Sequence, residues 1–222
     1  FHNTAAQALD KANIRELLEY DRYCRDYDHY DQELKCFSPK SRVRITWYDG
    51  DGREFVRTTA KRAAASPNKN GIYSPKHRIN DTIIWLHGDK AVAEVVCTMR
   101  SPREKIQGQE LDFSTDAKLL YQVQKENGVW QIKGLDCIYE RDWFNLVTPG
   151  ASFTAPANLD DYRESYKWLS WRLESMGLSA SQDLPGGDRP DLVAKLYAEV
   201  SARIYAEEQA AEKKKEISKN GN

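Results

Sequence analysis

Two aspartates stand where the core-facing side of a first helix should carry apolar residues, and carboxylates in such positions can move protons. From Ile14 an apolar series with spacings of three and four residues runs along the predicted helix and then meets Asp21 and Asp28. A buried carboxylate without a partner is costly, so each must pair with a cation or serve acid–base chemistry. Arg25 lies one turn after Asp21 and offers it an ion pair. Asp28 is therefore the stronger catalytic candidate.

Hydroxyl groups and further polar side chains surround Asp28 in the sequence. Tyr23 and Tyr27 belong to the same two helical turns, and either hydroxyl could polarise a substrate oxygen. Three other residues are interpreted as solvated helix-end residues: Asp26, His29 and Asp31. The predicted acid–base group of the helix is therefore Asp28, with a tyrosine beside it.

A second candidate group lies in the predicted sheet. His77 opens a strand, and a strand histidine that faces a cavity can exchange protons near neutral pH, although a lone one is more often structural or exposed. Four strand aromatics either line a pocket for a planar ligand or form ordinary core: Trp47, Trp85, Trp130 and Tyr121. Asp116 and Lys118 share one strand face, which points either to solvent or into a polar pocket.

Composition restricts the function classes. The 222 residues are 40% hydrophobic and 30% charged with a net charge of −1, which is typical of a globular protein and gives no electrostatic reason for nucleic-acid binding. No run reaches the roughly 18 apolar residues of a membrane span. The four cysteines lack zinc-ligand spacing and are interpreted as reduced, structural residues. What remains is metal-free acid–base chemistry or simple ligand binding.

The elements that must position these residues begin with helices. Residues 4–28 are predicted as a first helix and residues 31–37 as a second one, which Ser38-Pro39 ends. A hairpin is expected next, with strands at 42–48 and 53–58 around the turn Asp49-Gly50-Asp51-Gly52. An alanine-rich helical piece is then predicted near residues 59–65.

The middle of the chain is predicted to form an antiparallel meander. Its four β segments are residues 76–86, 90–100, 112–124 and 129–140. The turns His87-Gly88-Asp89 and Glu126-Asn127-Gly128 join neighbouring segments as tight hairpins. Helices that lead into such a sheet indicate an α+β architecture in which one curved sheet face wraps the helices and encloses a cavity.

The last third of the chain is predicted to be helical. A connector rich in Pro, Gly and Ala at residues 148–158 precedes one apolar stripe that ends at Gly177 and a second that starts near Pro190, before a charged, frayed end. The predicted domain organisation is an α+β domain over residues 1–150, followed by a connector and a C-terminal helical extension with a polar tail over 151–222.

Several segments, taken in order and spacing, resemble the SnoaL-like branch of the NTF2-like superfamily. They are Ile14–Pro39, the pair His77 and Asn80, Gly88-Asp89-Lys90-Ala91, and Asn127-Gly128-Val129-Trp130 followed by Tyr139-Glu140-Arg141-Asp142. The resemblance covers roughly residues 8–150 and implies a cone-shaped α+β fold, with a curved antiparallel sheet around the helices. Relatives include polyketide cyclases, scytalone dehydratase, ketosteroid isomerase and a dehydrochlorinase, which use cavity carboxylates, histidines and tyrosines without cofactors. Other members only bind ligands or partners.

The resemblance also assigns roles to individual residues. Asp28 is similar to the helix aspartate that the dehydratase and dehydrochlorinase branches place against a catalytic histidine, His77 to that histidine, and Tyr27 to the neighbouring tyrosine. Trp47 falls near a pocket tryptophan of the dehydrochlorinase branch. The second cavity histidine of the scytalone dehydratase branch has no counterpart around residues 101–103. This departure argues against the same substrate.

The leading hypothesis is a cofactor-independent lyase or isomerase, of dehydratase, cyclase or rearrangement type, that acts on a small, largely apolar metabolite of secondary metabolism. His77 would be the general base or acid, and Asp28 would orient it and stabilise its protonated form. The predicted substrate-binding residues are Tyr23, Trp47, Asp116, Lys118, Trp130 and Arg141. Arg141 is also a possible ion-pair partner of Asp28. The alternatives are a non-catalytic binding or assembly module and a cavity that templates a pericyclic closure.

The expected partners are a small-molecule substrate and further copies of the chain. An open sheet face and two extra amphipathic helices leave apolar surface that a dimer or trimer would cover. Neither nucleic acid nor membrane is expected as a partner, and no metal site is predicted. The protein is expected to be cytoplasmic, with secretion left open because the sequence begins at Phe1 rather than Met.

Overall fold

The structure is a computed structural model that describes residues 2–65, 75–101 and 103–220, with side chains through residue 205. Its elements, in chain order, are α1 (Ala5–Asp26), α2 (Tyr30–Cys36), β1 (Phe37–Ile45), β2 (Tyr48–Asp51), α3 (Gly52–Ala65), β3 (Lys76–His87), β4 (Lys90–Arg100), β5 (Glu104–Ile106), β6 (Gln109–Glu126), β7 (Val129–Leu146), α4 (Lys167–Ser175) and α5 (Pro190–Asn220). Two short 3₁₀ turns, Leu159–Asp161 and Glu164–Tyr166, precede α4. The predicted α+β class is confirmed.

One curved, open sheet contains all seven strands. Its order is β2-β1-β7-β6-β4-β3, with β5 added on β6. The predicted meander is confirmed, because β3, β4, β6 and β7 pair antiparallel with their neighbours. Asn127 and Gly128 both have positive φ, 51° and 79°, as a tight two-residue hairpin turn requires. The sheet is mixed rather than wholly antiparallel, since β1 runs parallel to β7.

The predicted hairpin with strands at 42–48 and 53–58 is wrong in its second half. The strands β1 and β2 turn at residues 46–47, and residues 53–58 belong to α3. Asp51 explains the difference, because its Oδ1 accepts the backbone N–H of Glu54 at 2.8 Å and so caps the first turn of a helix. Phe55 and Val56 then bury their side chains, as the core-facing residues of that helix.

The two faces of the sheet are covered by different helices. On the concave face, the main core joins residues of α1, α3 and α4 to alternate residues of the central strands. On the convex face, Leu196, Val200 and Ile204 of α5 pack against Leu120 and Ile138, which confirms the stripe predicted for the last helix. The predicted boundary near residue 150 stays a prediction.

Two properties of the described residues complete the fold. No described helix is both long and apolar enough to cross a bilayer. All four cysteines are free and buried, as predicted for structural thiols. An internal space lies between the concave face and the helices.

Candidate active site

A cavity of about 830 Å³ lies between the concave sheet face and the helices α1, α3 and α4. Its floor is made by every second residue of the central strands, because successive strand residues point to opposite faces: Cys97, Ala117, Leu119, Leu135, Cys137 and Tyr139. Most of the lining side chains are apolar. A cavity of this size, mainly apolar but with several charged side chains in its lining, suits a small organic ligand with a largely apolar body.

His77 and Asp26 form the clearest polar pair at this cavity. His77 lies near the start of β3 and lines the cavity, and its Nδ1 is 2.6 Å from Oδ1 of Asp26 at the end of α1. The other carboxylate oxygen, Oδ2, accepts the backbone N–H of His77, also at 2.6 Å. The two side chains are 10% and 5% exposed. The pair therefore has two short hydrogen bonds and little contact with solvent.

The hydrogen bonds fix which ring nitrogen is left for a ligand. A carboxylate only accepts hydrogen bonds, so Nδ1 of His77 carries the proton and donates it to Asp26. Among the described residues the other nitrogen, Nε2, has no protein partner. A neutral imidazole in this tautomer offers the Nε2 lone pair as a proton acceptor.

Burial lowers the pKa of His77 below its ordinary value. The positive charges of Arg22 and Arg25 lower this pKa as well, whereas the hydrogen bond and the charge of Asp26 raise it. The lowering effects prevail. At neutral pH the His77 imidazole is therefore uncharged and able to accept a proton.

A buried network of four ionisable side chains lies beneath this pair and ties α1 to α2. Burial raises the pKa of one of them, Glu33, to about 7. Arg22 donates to Oδ2 of Asp21 at 2.6 Å, and Arg25 donates to Oε1 of Glu33 at 2.5 Å. Tyr121 of β6 donates its hydroxyl to Asp21 at 2.9 Å. Both carboxylates are fully buried, and each has a guanidinium partner, which offsets the cost of burying the charges.

The cavity thiols are not candidates for nucleophiles. Cys97 and Cys137 both line the cavity, and burial raises the pKa of each to about 12. A thiol with such a pKa is protonated at neutral pH, and the thiolate is the reactive form. The described residues also contain no cluster of three His, Cys, Asp or Glu side chains that could hold a metal ion.

The comparisons with known proteins agree with this architecture. A family model described as a SnoaL-like domain matches residues 6–136, which is more than half of the chain. The chain belongs to the SnoaL-like domain family. The matched region contains both Asp26 and His77, whereas α4 and α5 lie beyond it.

The chain is similar to one protein in sequence and to another in structure. Pea pathogenicity protein 2 of Fusarium vanettenii is 28% identical over 185 residues, which cover 82% of this chain and 77% of that protein. Hexachlorocyclohexane dehydrochlorinase LinA-type3 from Novosphingobium barchaimii LL02 has a TM-score of 0.50 and 14% sequence identity, covering 67% of this chain and 97% of that one. The structural likeness shows a shared fold, and the predicted NTF2-like fold is confirmed.

The predicted pairing of Asp28 with His77 is wrong, because α1 of the SnoaL-like domain ends two residues earlier. Asp28 has φ 61° and lies beyond the helix end, where it is exposed and is one of the residues that line the cavity. The backbone N–H of His29 bonds the carbonyl of Cys24 at 2.8 Å and closes the last turn, and aspartate tolerates the left-handed conformation that this cap needs. Asp28 accepts the Tyr30 hydroxyl at 2.8 Å. Asp26, predicted to be solvated, is the buried partner of His77.

The interpretation of Asp21 also changes. The structure pairs Asp21 with Arg22 rather than with Arg25, which instead pairs with Glu33. Arg25 turns toward α2 and α3, where it also donates to the Thr59 hydroxyl at 2.9 Å. The spacing rule identified a plausible cation but not the one that the fold brings into contact.

Tyr23 and Tyr27 lie on the solvent side of α1. Each is about half exposed, and their ring centroids are 4.8 Å apart. Lys76 lies over the Tyr27 ring at 4.3 Å. Neither tyrosine is among the described residues that line the cavity. Tyr30 of α2 does line it, so it is the tyrosine hydroxyl of this segment that a ligand can reach.

Three predicted substrate-binding residues lie on the convex face of the sheet. Thr115, Ala117 and Leu119 of β6 face the cavity, so Asp116 and Lys118 between them point the other way. Asp116 accepts Arg141 Nε at 3.1 Å, and Lys118 lies 3.5 Å from Glu94. These partners belong to the outer surface. The expected pairing of Arg141 with Asp28 is therefore wrong, and none of these three residues lines the cavity described above.

The two tryptophans predicted as walls have different surroundings. Trp47 lines the cavity, with its ring centroid 5.4 Å from that of Phe55. Trp130 is buried in the core at the far end of β7 and donates its indole N–H to Asp10 at 2.9 Å. Trp130 is therefore a structural residue of the SnoaL-like domain and not part of the cavity wall.

Three cationic residues of the cavity were not singled out from the sequence, and Arg22 of α1 is one of them. Arg62 of α3 and Arg172 of α4 both line it. Arg172 pairs with Glu104 of β5, which also lines the cavity. Phe55, Thr59 and Arg62 follow one another at helical spacing, which would have placed Arg62 on the cavity side of a helix. This spacing was not recognised because the first part of α3 was predicted as a strand.

Proposed function

We propose that the protein is a cofactor-independent acid–base lyase or isomerase, and that neutral His77 removes a proton from an activated C–H group of a small, largely apolar substrate. The observation that carries this proposal is the Asp26–His77 pair at the wall of an otherwise mainly apolar cavity. A buried imidazole with a lowered pKa and an oriented tautomer has the properties of a general base.

Each group of the pair has a separate part in the proposed reaction. Nε2 of His77 accepts the substrate proton, and the positive charge that forms on the ring is stabilised by Asp26 across the 2.6 Å contact. The imidazolium then returns the proton, either to another carbon in an isomerisation or to a leaving oxygen in a dehydration. The bonds from both Asp26 oxygens keep the ring in one orientation throughout.

In this proposal the hydroxyl that polarises the substrate belongs to Tyr30, and not to Tyr27 or Tyr23 as the sequence predicted. Tyr30 lines the cavity, and burial raises its pKa, so its hydroxyl stays protonated. The hydroxyl donates to Asp28 at 2.8 Å, and in this proposal it turns from Asp28 to the substrate oxygen. A donor aimed at a carbonyl oxygen stabilises the enolate that proton removal creates. The apolar floor favours a substrate with a hydrocarbon or aromatic body.

A panel of β-hydroxy ketones tests the proposal. Dehydration is followed by the ultraviolet absorbance of the enone product, and proton abstraction by deuterium uptake from D₂O in NMR spectra. We expect turnover by the wild type and a loss of about 10²- to 10⁴-fold in His77→Gln, the range that a general base contributes. His87→Gln, at the end of β3 and outside the cavity, is the matched control and keeps its activity.

The same variants distinguish the second candidate function, a cavity that templates a pericyclic closure. The mainly apolar lining favours this candidate, since such a reaction needs shape more than proton transfer. If His77→Gln turns over a cyclising substrate as fast as the wild type and takes up no deuterium, templating replaces acid–base catalysis as the function.

A further inference from the structure

Four arginines line the cavity, and three of them have carboxylate partners. Arg22 pairs with Asp21, Arg25 with Glu33, and Arg172 with Glu104. The fourth, Arg62, makes no ion pair or hydrogen bond with any described residue. Among the described residues, its wall of the cavity, formed by Arg62, Arg172 and Glu104, therefore carries one positive charge without a paired carboxylate.

The surroundings of Arg62 are unfavourable for a cation in the empty cavity. Its side chain is partly buried, and its Nη1 atom is buried without a hydrogen-bond partner. Burial lowers the pKa of Arg62, and the charge of Arg172 lowers it further. A guanidinium retained in this setting gains most from a ligand that brings a negative charge.

Trp47 holds the Arg62 guanidinium in a definite orientation. The Cζ atom lies 4.4 Å from the centroid of the indole ring. A guanidinium stacked on an aromatic face keeps its N–H groups at its edge, where they can bind a carboxylate through two parallel hydrogen bonds. Lysine lacks this planar geometry, which gives the arginine a specific chemical use here.

We propose that Arg62 binds an anionic oxygen of the ligand, so that the substrate is an organic acid whose carboxylate lies against α3 while its apolar body fills the cavity. This inference rests on the proposed function in taking the cavity as the substrate site. It adds a substrate class, and it makes Arg62 a specificity-determining residue on a different wall from the Asp26–His77 pair.

A matched pair of ligands tests the inference without any turnover. 2-Naphthoate and 2-naphthalenemethanol share an aromatic body and differ in charge, and isothermal titration calorimetry measures the Kd of each. We expect wild-type protein to prefer the carboxylate by about 10- to 100-fold, the range of a charge-assisted hydrogen bond. Arg62→Gln should lose this preference while its affinity for the alcohol stays unchanged.

Two further variants keep the test decisive. Arg57→Gln lies on the same helix, is exposed and pairs with Glu54, so it should bind both ligands as the wild type does. Arg62→Lys retains the charge and should retain part of the preference, and it replaces Arg62→Gln if that variant does not fold.

Three results would overturn the inference. They are equal affinity of the wild type for the two ligands, lack of naphthoate binding at millimolar concentration, and an unchanged preference in Arg62→Gln. Failure of the proposed function is a separate result, because it would show as full activity of His77→Gln with the carboxylate preference intact.

Discussion

Replacing Asp26 by asparagine should reverse the tautomer of His77. The carboxylate accepts two bonds from His77, one from the ring and one from the backbone N–H, each at 2.6 Å. Asparagine keeps one accepting oxygen, which the fixed backbone N–H retains, and turns its NH₂ group toward the ring. Nδ1 must then accept, so the ring proton moves to Nε2 and the lone pair that faces the cavity is lost.

The size of the effect follows from the bonds that change. Without a proton acceptor at Nε2, the proposed reaction should lose about 10²- to 10⁴-fold in kcat/KM, the contribution of a general base. Loss of a charge-assisted hydrogen bond at this buried pair costs about 1.5–3 kcal/mol of unfolding free energy. For a chain of this length that corresponds to a fall in Tm of about 3–12 °C.

The tautomer can be measured without a substrate. In ¹⁵N spectra of the imidazole the unprotonated nitrogen resonates far downfield of the protonated one, so the two ring nitrogens exchange their shifts if the proton moves. Asp28→Asn is the matched control, because the Asp28 carboxylate bonds Tyr30 rather than the imidazole. If Asp26→Asn leaves the proton on Nδ1, then Asp26 does not set the tautomer and the argument for His77 as an oriented base fails.

Further predictions concern the pH dependence of activity, the buried charges, one glycine and one leucine of α5. Because burial lowers the pKa of His77, the acid limb of the kcat/KM profile should lie below pH about 6.5, and activity should fall as pH decreases through it. Glu33→Gln removes the carboxylate partner of Arg25 and should lower the unfolding free energy by about 3–5 kcal/mol in urea titrations at pH 8, above the pKa of about 7 that burial gives Glu33. A Cβ at Gly52 would lie 2.8 Å from Cδ1 of Phe37, so Gly52→Ala should destabilise by about 1–3 kcal/mol, again measured in urea. Leu196→Ala opens a cavity under α5 and should cost about 2–5 kcal/mol in the same assay.

Periodicity predicted that α1 carries acids toward the core, but it could not locate the end of the helix. A shift of two residues at that end exchanges Asp28 for Asp26, and helix boundaries are uncertain by about this amount when only the sequence is available. The signal for the true end was the Tyr27-Asp28-His29 segment, in which a short polar residue can adopt positive φ. The sequence therefore located the segment that contacts His77 but not the carboxylate that makes the contact.

Strand alternation has a similar limit. It correctly groups Asp116 with Lys118 on one face, yet it does not say which face meets the cavity. That choice depends on α5, which covers the convex side through Leu196 and Val200, and on the helices that occupy the concave side. Only long-range packing decides it, and the same packing brings His77 to Asp26 from 51 positions away.

The buried charges beneath His77 explain why this imidazole can be both neutral and oriented. Asp26 alone would favour the charged ring, because a nearby carboxylate raises the pKa of a histidine. Burial of the ring opposes this most strongly, and the positive charges of Arg22 and Arg25 add to its effect. Ion pairs with Asp21 and Glu33 hold the two arginines in place. A carboxylate has two effects on a neighbouring histidine: it fixes the tautomer, and it raises the pKa. His77 keeps the tautomer that Asp26 imposes. Its pKa nevertheless stays low enough for the Nε2 lone pair to be available at neutral pH.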